Sequence, residues 1–166
     1  MARQLWFLRH GEAEPHDARP DADRRLTARG EDQSRAAGLA LAALDLEFQL
    51  IVMSPRVRAL DTAKLACEAL RGEPVVDERL SSDFGVREAL EIAYAAGADK
   101  RVLFVGHNPD LPQILRDLTG GQIEMKKGGI AGVRMRGSQR GDLIVLLRPR
   151  EIEVLVASDR RSQGHR

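Results

Sequence analysis

The sequence predicts an α/β fold, a three-layer sandwich in which helices flank a mainly parallel sheet. Short runs at residues 4–8, 50–53 and 101–105 are predicted to be strands, and the wholly apolar run at 50–53 is typical of a strand that is covered on both faces. Segments with helical spacing of apolar residues separate these runs, as in chains that connect parallel strands through helices. A C-terminal antiparallel hairpin is expected where runs at 130–135 and 143–147 flank a polar, glycine-containing turn.

Capping and stop residues indicate four helices: Thr27, Ser54 and Asn108 begin three of them, and Gly72, Gly97 and Gly120 follow three of them. These helices are expected at residues 27–45, 54–70, 86–96 and 108–119. In the second and fourth helices, Ser54 and Asn108 are the expected N-caps, each followed by a proline. A short run at 74–77 is expected to form an edge strand.

Length and charge limit the domain organisation and the partners. The 166 residues predict a single domain over 1–157 and a polar, flexible tail over 158–166. Since 26 basic residues nearly balance 25 acidic ones, the chain lacks the dominant basic field of a nucleic-acid-binding protein. We expect a cytoplasmic protein without a membrane partner, because no secretory signal and no apolar stretch of about 20 residues is present.

Reactive residue types occur at three strand-to-helix turns. The first turn carries Arg9 and His10, the second carries Ser54 and then Arg58, and the third carries His107. Parallel strands end at the same edge of a sheet, so we expect these side chains to lie close together. Guanidinium groups and helix N-termini favour a tetrahedral oxyanion. The sequence therefore predicts a phosphate pocket that contains an imidazole.

A neutral imidazole in such a pocket can act as a nucleophile. His10 could attack phosphorus and form a phosphohistidine intermediate, while the arginines neutralise the transferred group. Water would release the phosphate, without a metal ion or another cofactor. Gly11 would let the backbone approach the ligand closely. Each residue alone has a simpler structural explanation, and their joint occurrence at three turns is what favours the site.

The motifs at these turns resemble those of the histidine phosphatase (phosphoglycerate mutase-like) superfamily. Residues 8–12 resemble its signature, residues 54–63 its second motif and residues 105–109 its third. The short chain, the segment 23–30 and the ending at 141–143 look most like the SixA branch of phosphohistidine phosphatases. The resemblance implies that His10 is the phosphorylated nucleophile. It also implies a phosphoryl group held by Arg9, Gly11, Arg58, His107 and Asn108.

The general acid of the larger relatives has no clear counterpart. Those relatives place a glutamate after the third strand, where this chain has Ser82 beside Asp83. Asp83 and Glu12 are the candidate substitutes. The missing glutamate suits a nitrogen leaving group, and absent cap insertions suit a protein substrate. The resemblance thus implies hydrolysis of phosphohistidine on a signalling protein, such as a histidine-containing phosphotransfer domain.

Other functions remain open, namely a small-molecule phosphomonoesterase, a non-catalytic phosphate-binding module and, disfavoured by the short chain, a mutase. A bound phosphate or sulfate ion is the expected ligand. No metal is expected, because His10, His16, His107 and Cys67 lack the spacing of a structural metal site. His16 is expected to be a solvated loop residue, and Cys67 a buried, inert thiol.

A basic patch is expected near the hairpin, formed by Lys126, Lys127, Arg134, Arg136 and Arg140. A solvated face explains such a patch most simply. Contact with an acidic partner is the alternative.

Overall fold

The computed structural model describes residues 2–164, which form a six-stranded mixed sheet with helices on both faces. The strands are β1 (Gln4–Arg9), β2 (Leu50–Met53), β3 (Val75–Val76), β4 (Arg101–Gly106), β5 (Ile130–Arg136) and β6 (Arg140–Leu147). The helices are α1 (Ala28–Ala43), α2 (Val57–Ala66), α3 (Val86–Ala95), α4 (Asp110–Thr119) and α5 (Pro149–Gln163), with short 3-10 turns at Asp21–Asp23 and Glu78–Leu80. Within these described residues, no helix is long and apolar enough to cross a membrane.

The strand order is β3-β2-β4-β1-β5-β6. The first four of these strands are parallel, and β5 and β6 form an antiparallel hairpin beside β1. The register pairs Arg9 with Gly106 and Met53 with Val105, so β1, β2 and β4 end level with one another. The three turns that carry reactive residues therefore leave the sheet side by side. The predicted α/β architecture is confirmed, including the C-terminal hairpin.

Alternate side chains of β1 enter two separate apolar layers. Leu5 and Phe7 pack with α3 and α4 on one face, whereas Trp6 and Leu8 pack with α1, α2 and α5 on the other. None of the four is more than 2% exposed. Burial on both faces explains why the strand is a continuous apolar run, and it fixes the register, because a slip of one residue would exchange the two faces.

Two helices begin later than their capping pattern predicts. α2 starts at Val57 and α4 starts at Asp110, so Ser54 and Asn108 are not the N-caps. Each of these two side chains instead makes a hydrogen bond to a distant segment, which removes it from the capping position. α2 also ends earlier than expected, at Ala66, and a series of turns follows it.

The C-terminal helix α5 is absent from the sequence-based prediction. Two sequence features indicate this helix. Pro149 stands at the first helical position, and Ile152 and Val156, four residues apart, pack into the core on the side of α1. The helix continues to Gln163. Most of the segment 158–166, expected to be a flexible tail, is therefore helical, and its last two residues lie outside the described part.

The predicted basic patch divides into two. Lys126 and Lys127 precede β5 at the edge where β1 ends, whereas Arg134, Arg136 and Arg140 lie at the far end of the hairpin. β5 is seven residues long and antiparallel to β1, so roughly 20 Å of strand separates the two groups. The expectation of one continuous patch is wrong, because the strand direction places its members at opposite edges of the sheet.

Candidate active site

His10 follows β1 and is buried, with 6% of its surface exposed. Its Nδ1 lies 2.7 Å from the carbonyl oxygen of Gly11, which can only accept, so Nδ1 carries the proton and Nε2 keeps its lone pair. Nε2 makes no hydrogen bond to any of the described residues. Burial lowers the pKa of His10 to about 3, and the charges of Arg58 and Arg9 act in the same direction. The imidazole is therefore neutral at pH 7.

The His107 ring lies beside that of His10, with 5.2 Å between the ring centroids. Its Nε2 shares a 2.7 Å hydrogen bond with Ser54 Oγ, while Nδ1 is buried without a partner among residues 2–164. Ser54 Oγ also accepts the backbone N–H of Arg56. Burial, together with the proximity of His10 and Arg58, lowers the pKa of His107 to about 3. Two neutral imidazoles thus share one buried corner.

Arg9 and Arg58 bring positive charge to this corner. Arg9 Nη1 donates to the carbonyl oxygen of Met125 at 2.9 Å. Arg58, 4% exposed, donates through Nη1 to the backbone oxygen of Asp21 at 2.7 Å. The charges of both arginines contribute to the low pKa of His10, so both lie near its ring. The structure therefore brings together the four residues that the sequence singles out at three separate turns.

Several buried nitrogen atoms at this corner have no hydrogen-bond partner in the described chain. Arg9 Nε, Arg58 Nε and His107 Nδ1 are each shielded from solvent and make no hydrogen bond among residues 2–164. An unpaired buried polar group costs about 1–3 kcal/mol, so such a cluster is unusual unless a ligand completes it. The guanidinium N–H groups can only donate. The arrangement is suited to an anion with several acceptor oxygens, such as phosphate.

Asp21 contacts the candidate site and is absent from the sequence-based prediction. Its Oδ1 accepts from Arg24 Nη2 at 2.9 Å, and its Oδ2 accepts from Arg56 Nη1 at 2.8 Å and Arg58 Nη2 at 3.3 Å. Partial burial raises the pKa of the Asp21 carboxyl, but hydrogen bonds and charges of Arg24 and Arg58 outweigh it and hold the pKa below its usual value. Asp21 fixes the Arg58 guanidinium from the loop between β1 and α1.

Gly11 and Asn108, expected to contact phosphate, already have protein partners. The N–H of Gly11 donates to Thr62 Oγ1, and a Cβ at Gly11 would lie 2.4 Å from the carbonyl oxygen of Gly30. The glycine is therefore required by the close approach of α1. Asn108 Nδ2 donates to the carbonyl oxygen of Met125 at 3.1 Å. Phosphate contacts by these two residues stay a prediction.

The candidate acids occupy two different places. Glu12 lies beside Arg29, with 3.7 Å between their charged atoms, while Asp83 is exposed in the loop before α3. Asp110, which the sequence-based prediction missed, accepts the backbone N–H of Phe84 at 3.3 Å. Burial raises the pKa of Asp110, and the charge of Asp83 raises it further. Asp110 is thus a partly buried carboxyl at the first residue of α4, three residues after His107.

His16 and Cys67 lie outside this corner. His16 is exposed in the loop after β1. Cys67 is half-buried at the end of α2, and burial raises the pKa of its thiol, which disfavours the reactive thiolate. Among residues 2–164, no group of three or more His, Cys, Asp or Glu side chains is placed to hold a metal ion.

The chain belongs to the histidine phosphatase superfamily (branch 1), whose family model matches residues 5–103. Membership supports a phosphatase. An uncharacterized protein of Picosynechococcus sp. is 36% identical over 139 residues, 79% of this chain and 84% of that protein. The mitochondrial serine/threonine-protein phosphatase PGAM5 of Mus musculus is 34% identical over 90 residues, 54% of this chain but 29% of its own length.

Within the superfamily, the structure is similar to that of SixA. The protein histidine phosphatase SixA complexed with tungstate has a TM-score of 0.79 and 26% identity, and the match covers 88% of this chain and 97% of SixA. A protein of Agrobacterium tumefaciens described as a phosphohistidine phosphatase SixA has the same fold, with 22% identity and a TM-score of 0.77. The match covers 90% of this chain and 100% of that chain. A phosphoserine phosphatase of Entamoeba histolytica shares it at 16% identity and a TM-score of 0.69, over 87% of this chain and 96% of its own. The resemblance to the SixA branch is confirmed.

Proposed function

We propose that the protein is a phosphatase that hydrolyses phosphohistidine on proteins through a covalent phospho-His10 intermediate. The observation that carries the proposal is the state of His10. Its Nδ1–H is committed to the carbonyl oxygen of Gly11, its pKa of about 3 keeps the ring neutral, and its Nε2 lone pair is free. A neutral, oriented imidazole is what nucleophilic attack on phosphorus requires.

The first step transfers the phosphoryl group to the enzyme. His10 Nε2 attacks phosphorus, the P–N bond to the substrate imidazole breaks, and that imidazole leaves with a proton gained from solvent. Arg9 and Arg58 neutralise the charge on the equatorial oxygens through their unpaired N–H groups, so a metal ion is not required. The dianion also favours a proton on His107, whose Nδ1 then donates to it.

The second step returns the enzyme to its starting state. Water attacks phosphorus, the P–N bond to His10 Nε2 breaks, and inorganic phosphate leaves. His10 regains a neutral ring because its Nδ1–H bond to Gly11 persists and burial disfavours the imidazolium. The two steps balance with one solvent proton taken up by the leaving imidazole and one water molecule consumed in the hydrolysis.

The lack of a glutamate at the position of the general acid favours a nitrogen leaving group over an oxygen leaving group. A protonated imidazole departs without further help, whereas an alcohol needs a proton donor. Ser82 stands where larger relatives place a glutamate. The similarity to SixA supports a protein substrate, of which a histidine-containing phosphotransfer domain is the expected form.

A phosphomonoesterase is the second candidate, and Asp110 is the observation that favours it. Its raised pKa and its position after His107 make it a carboxyl that could protonate an oxygen leaving group, with Asp83 and Glu12 as further possibilities. Relatives of known class include a serine/threonine-protein phosphatase and a phosphoserine phosphatase.

Two measurements test the proposed function. The rate with a phosphohistidine protein is compared with rates for a phosphoserine peptide and an aryl phosphate, and we expect the phosphohistidine protein to be preferred by at least 10-fold. Quenching in alkaline detergent should trap an acid-labile, base-stable phosphoenzyme that His10→Ala abolishes and that the exposed-loop control His16→Ala retains. Preference for the esters would favour the second candidate. A protein that binds phosphate but never forms a phosphoenzyme would be a non-catalytic module.

A further inference from the structure

A basic groove of about 460 Å³ opens beside Arg9 of the candidate active site. Cations dominate its lining, which contains one carboxylate. The charged residues that line it are Arg9, Glu12, Arg29, Lys126, Lys127, Arg148 and Arg150. We name it the basic groove. It contains only the first part of the basic patch that the sequence predicts.

Half of the positive charge in the basic groove is uncompensated. Arg29, Lys126 and Arg148 each pair with a glutamate, at 3.7, 2.7 and 2.7 Å respectively. Arg9 has a buried Nε without a hydrogen-bond partner. Lys127 and Arg150 are exposed and form no ion pair within the described chain. The whole chain carries a net charge of only +1, so this positive field is a local feature.

Different elements of the fold hold the two sides of the basic groove. The N–H of Gly128 donates to the carbonyl oxygens of Arg9 and His10 at 3.0 and 3.1 Å, which holds Lys127 next to the turn after β1. The charge of Lys127 reaches His10, since it contributes to the low pKa of that ring. On the other side, Arg150 lies in the first turn of α5, directly after β6. Lys127 and Arg150, which form no ion pair, therefore line the same groove as Arg9.

We propose that the basic groove binds an acidic polypeptide segment next to the phosphorylated residue of the substrate protein. This inference rests on the proposed function and names part of its substrate class. Carboxylates on such a segment would pair with Lys127 and Arg150 while the phosphoryl group contacts Arg9. The rim is open, since Arg29, Lys126 and Arg148 are 72%, 54% and 58% exposed, which suits a chain passing over it.

A nucleic acid fits this surface less well. Single-stranded nucleic acids are held by aromatic side chains that stack on the bases together with a long basic track. No aromatic residue lines the basic groove, so the bases of a single strand would find no stacking partner there. The lining therefore favours short acidic peptide segments over RNA or DNA.

The test uses two peptides with the same chemically phosphorylated histidine, one flanked by glutamates and the other by glutamines. We expect wild-type kcat/KM to be about 5- to 10-fold higher for the glutamate peptide at low salt, and the ratio to approach 1 in 0.5 M salt. The double variant Lys127→Glu/Arg150→Glu should bring the ratio to 1 or below. The ratio is the readout because an effect on chemistry alone cancels in it.

The matched control is Arg134→Glu/Arg140→Glu, which makes the same change in net charge at the opposite edge of the sheet. It should leave the ratio at the wild-type value. An unchanged ratio in the Lys127/Arg150 variant, or an equal fall in the control, would overturn the proposal.

A wrong proposed function would give a different result from a wrong assignment of the basic groove. In that case neither peptide is dephosphorylated although an aryl phosphate is. Fluorescence anisotropy with the unphosphorylated peptides then still tests the basic groove, since binding should favour the glutamate peptide and depend on Lys127 and Arg150. Binding of a labelled single-stranded RNA with that dependence, and of neither peptide, would refute the choice of a polypeptide.

Discussion

Lowering the pH from 7 to 5 is expected to destabilise the protein, because its two site histidines are buried in neutral form. Burial lowers the pKa of both His10 and His107 from 6.5 to about 3. Between these values the unfolded chain binds more protons than the folded one, so the free energy of unfolding rises with pH. The free energy of unfolding is therefore highest above pH 6.5, where both histidines are neutral in the folded and the unfolded chain. It decreases as the pH falls from 6.5 towards 3.

The magnitude follows from the two pKa values. One pKa unit corresponds to about 1.4 kcal/mol, and a histidine that titrates at 6.5 when unfolded and near 3 when folded loses about 2 kcal/mol between pH 7 and pH 5. If the two rings titrate independently, the loss is about 4 kcal/mol. Small domains have only about 5–15 kcal/mol of stability, so this is a large effect.

Urea unfolding at pH 7 and pH 5 measures the effect, in buffers free of phosphate and sulfate because a bound anion would favour protonated histidine. His10→Gln should reduce the loss by about 2 kcal/mol. His16→Gln is the control, since His16 is exposed in a loop and its replacement should leave the loss at the wild-type value. If His10→Gln loses as much stability as the wild type, the buried neutral histidine is not the cause and the reasoning fails.

Three further substitutions test the surroundings of the site. Asp21→Asn should lower kcat/KM by about 10-fold, mainly through KM, because a charge-assisted contact to Arg58 is weakened; steady-state kinetics check this against the exposed loop variant Asp17→Asn. Thr62→Val should cost about 1–3 kcal/mol in urea unfolding, because a buried backbone N–H loses its acceptor, whereas Thr62→Ser should cost less; equal losses would contradict the role of the hydroxyl. Asp110→Asn should slow hydrolysis of an alkyl phosphate at least 10-fold more than that of a phosphohistidine peptide, and an equal effect on both would exclude Asp110 as the acid for oxygen leaving groups.

Local patterns were sufficient to predict the secondary structure that frames the site. Apolar runs identify β1, β2 and β4 because these strands are buried on both faces, and Thr27 caps α1 through a hydrogen bond from the N–H of Gly30. The late starts of α2 and α4 could not be predicted. The pattern of Ser or Asn before Pro indicates a cap only if the side chain has no better partner, and in the folded chain Ser54 bonds to His107 instead.

The division of the basic patch has a similar origin. Lys127 and Arg134 are seven positions apart in the chain, yet a strand carries them to opposite edges of the sheet. Conversely, Arg150 is far from Lys127 in sequence and close to it in space, because the hairpin returns the chain to the same edge. Strand direction, which no local pattern encodes, decides which charges act together.

The residue types at three turns, and their attachment to the ends of buried strands, follow from the sequence because they depend on short-range order alone. They are enough to identify His10, Arg9, Arg58 and His107 as candidates. The protonation state of His10, the contact of Asp21 with Arg58 and the place of Asp110 depend on burial and on long-range contacts. These properties exist only after folding, because a pKa and an ion pair are set by the atoms that the tertiary structure brings near a group.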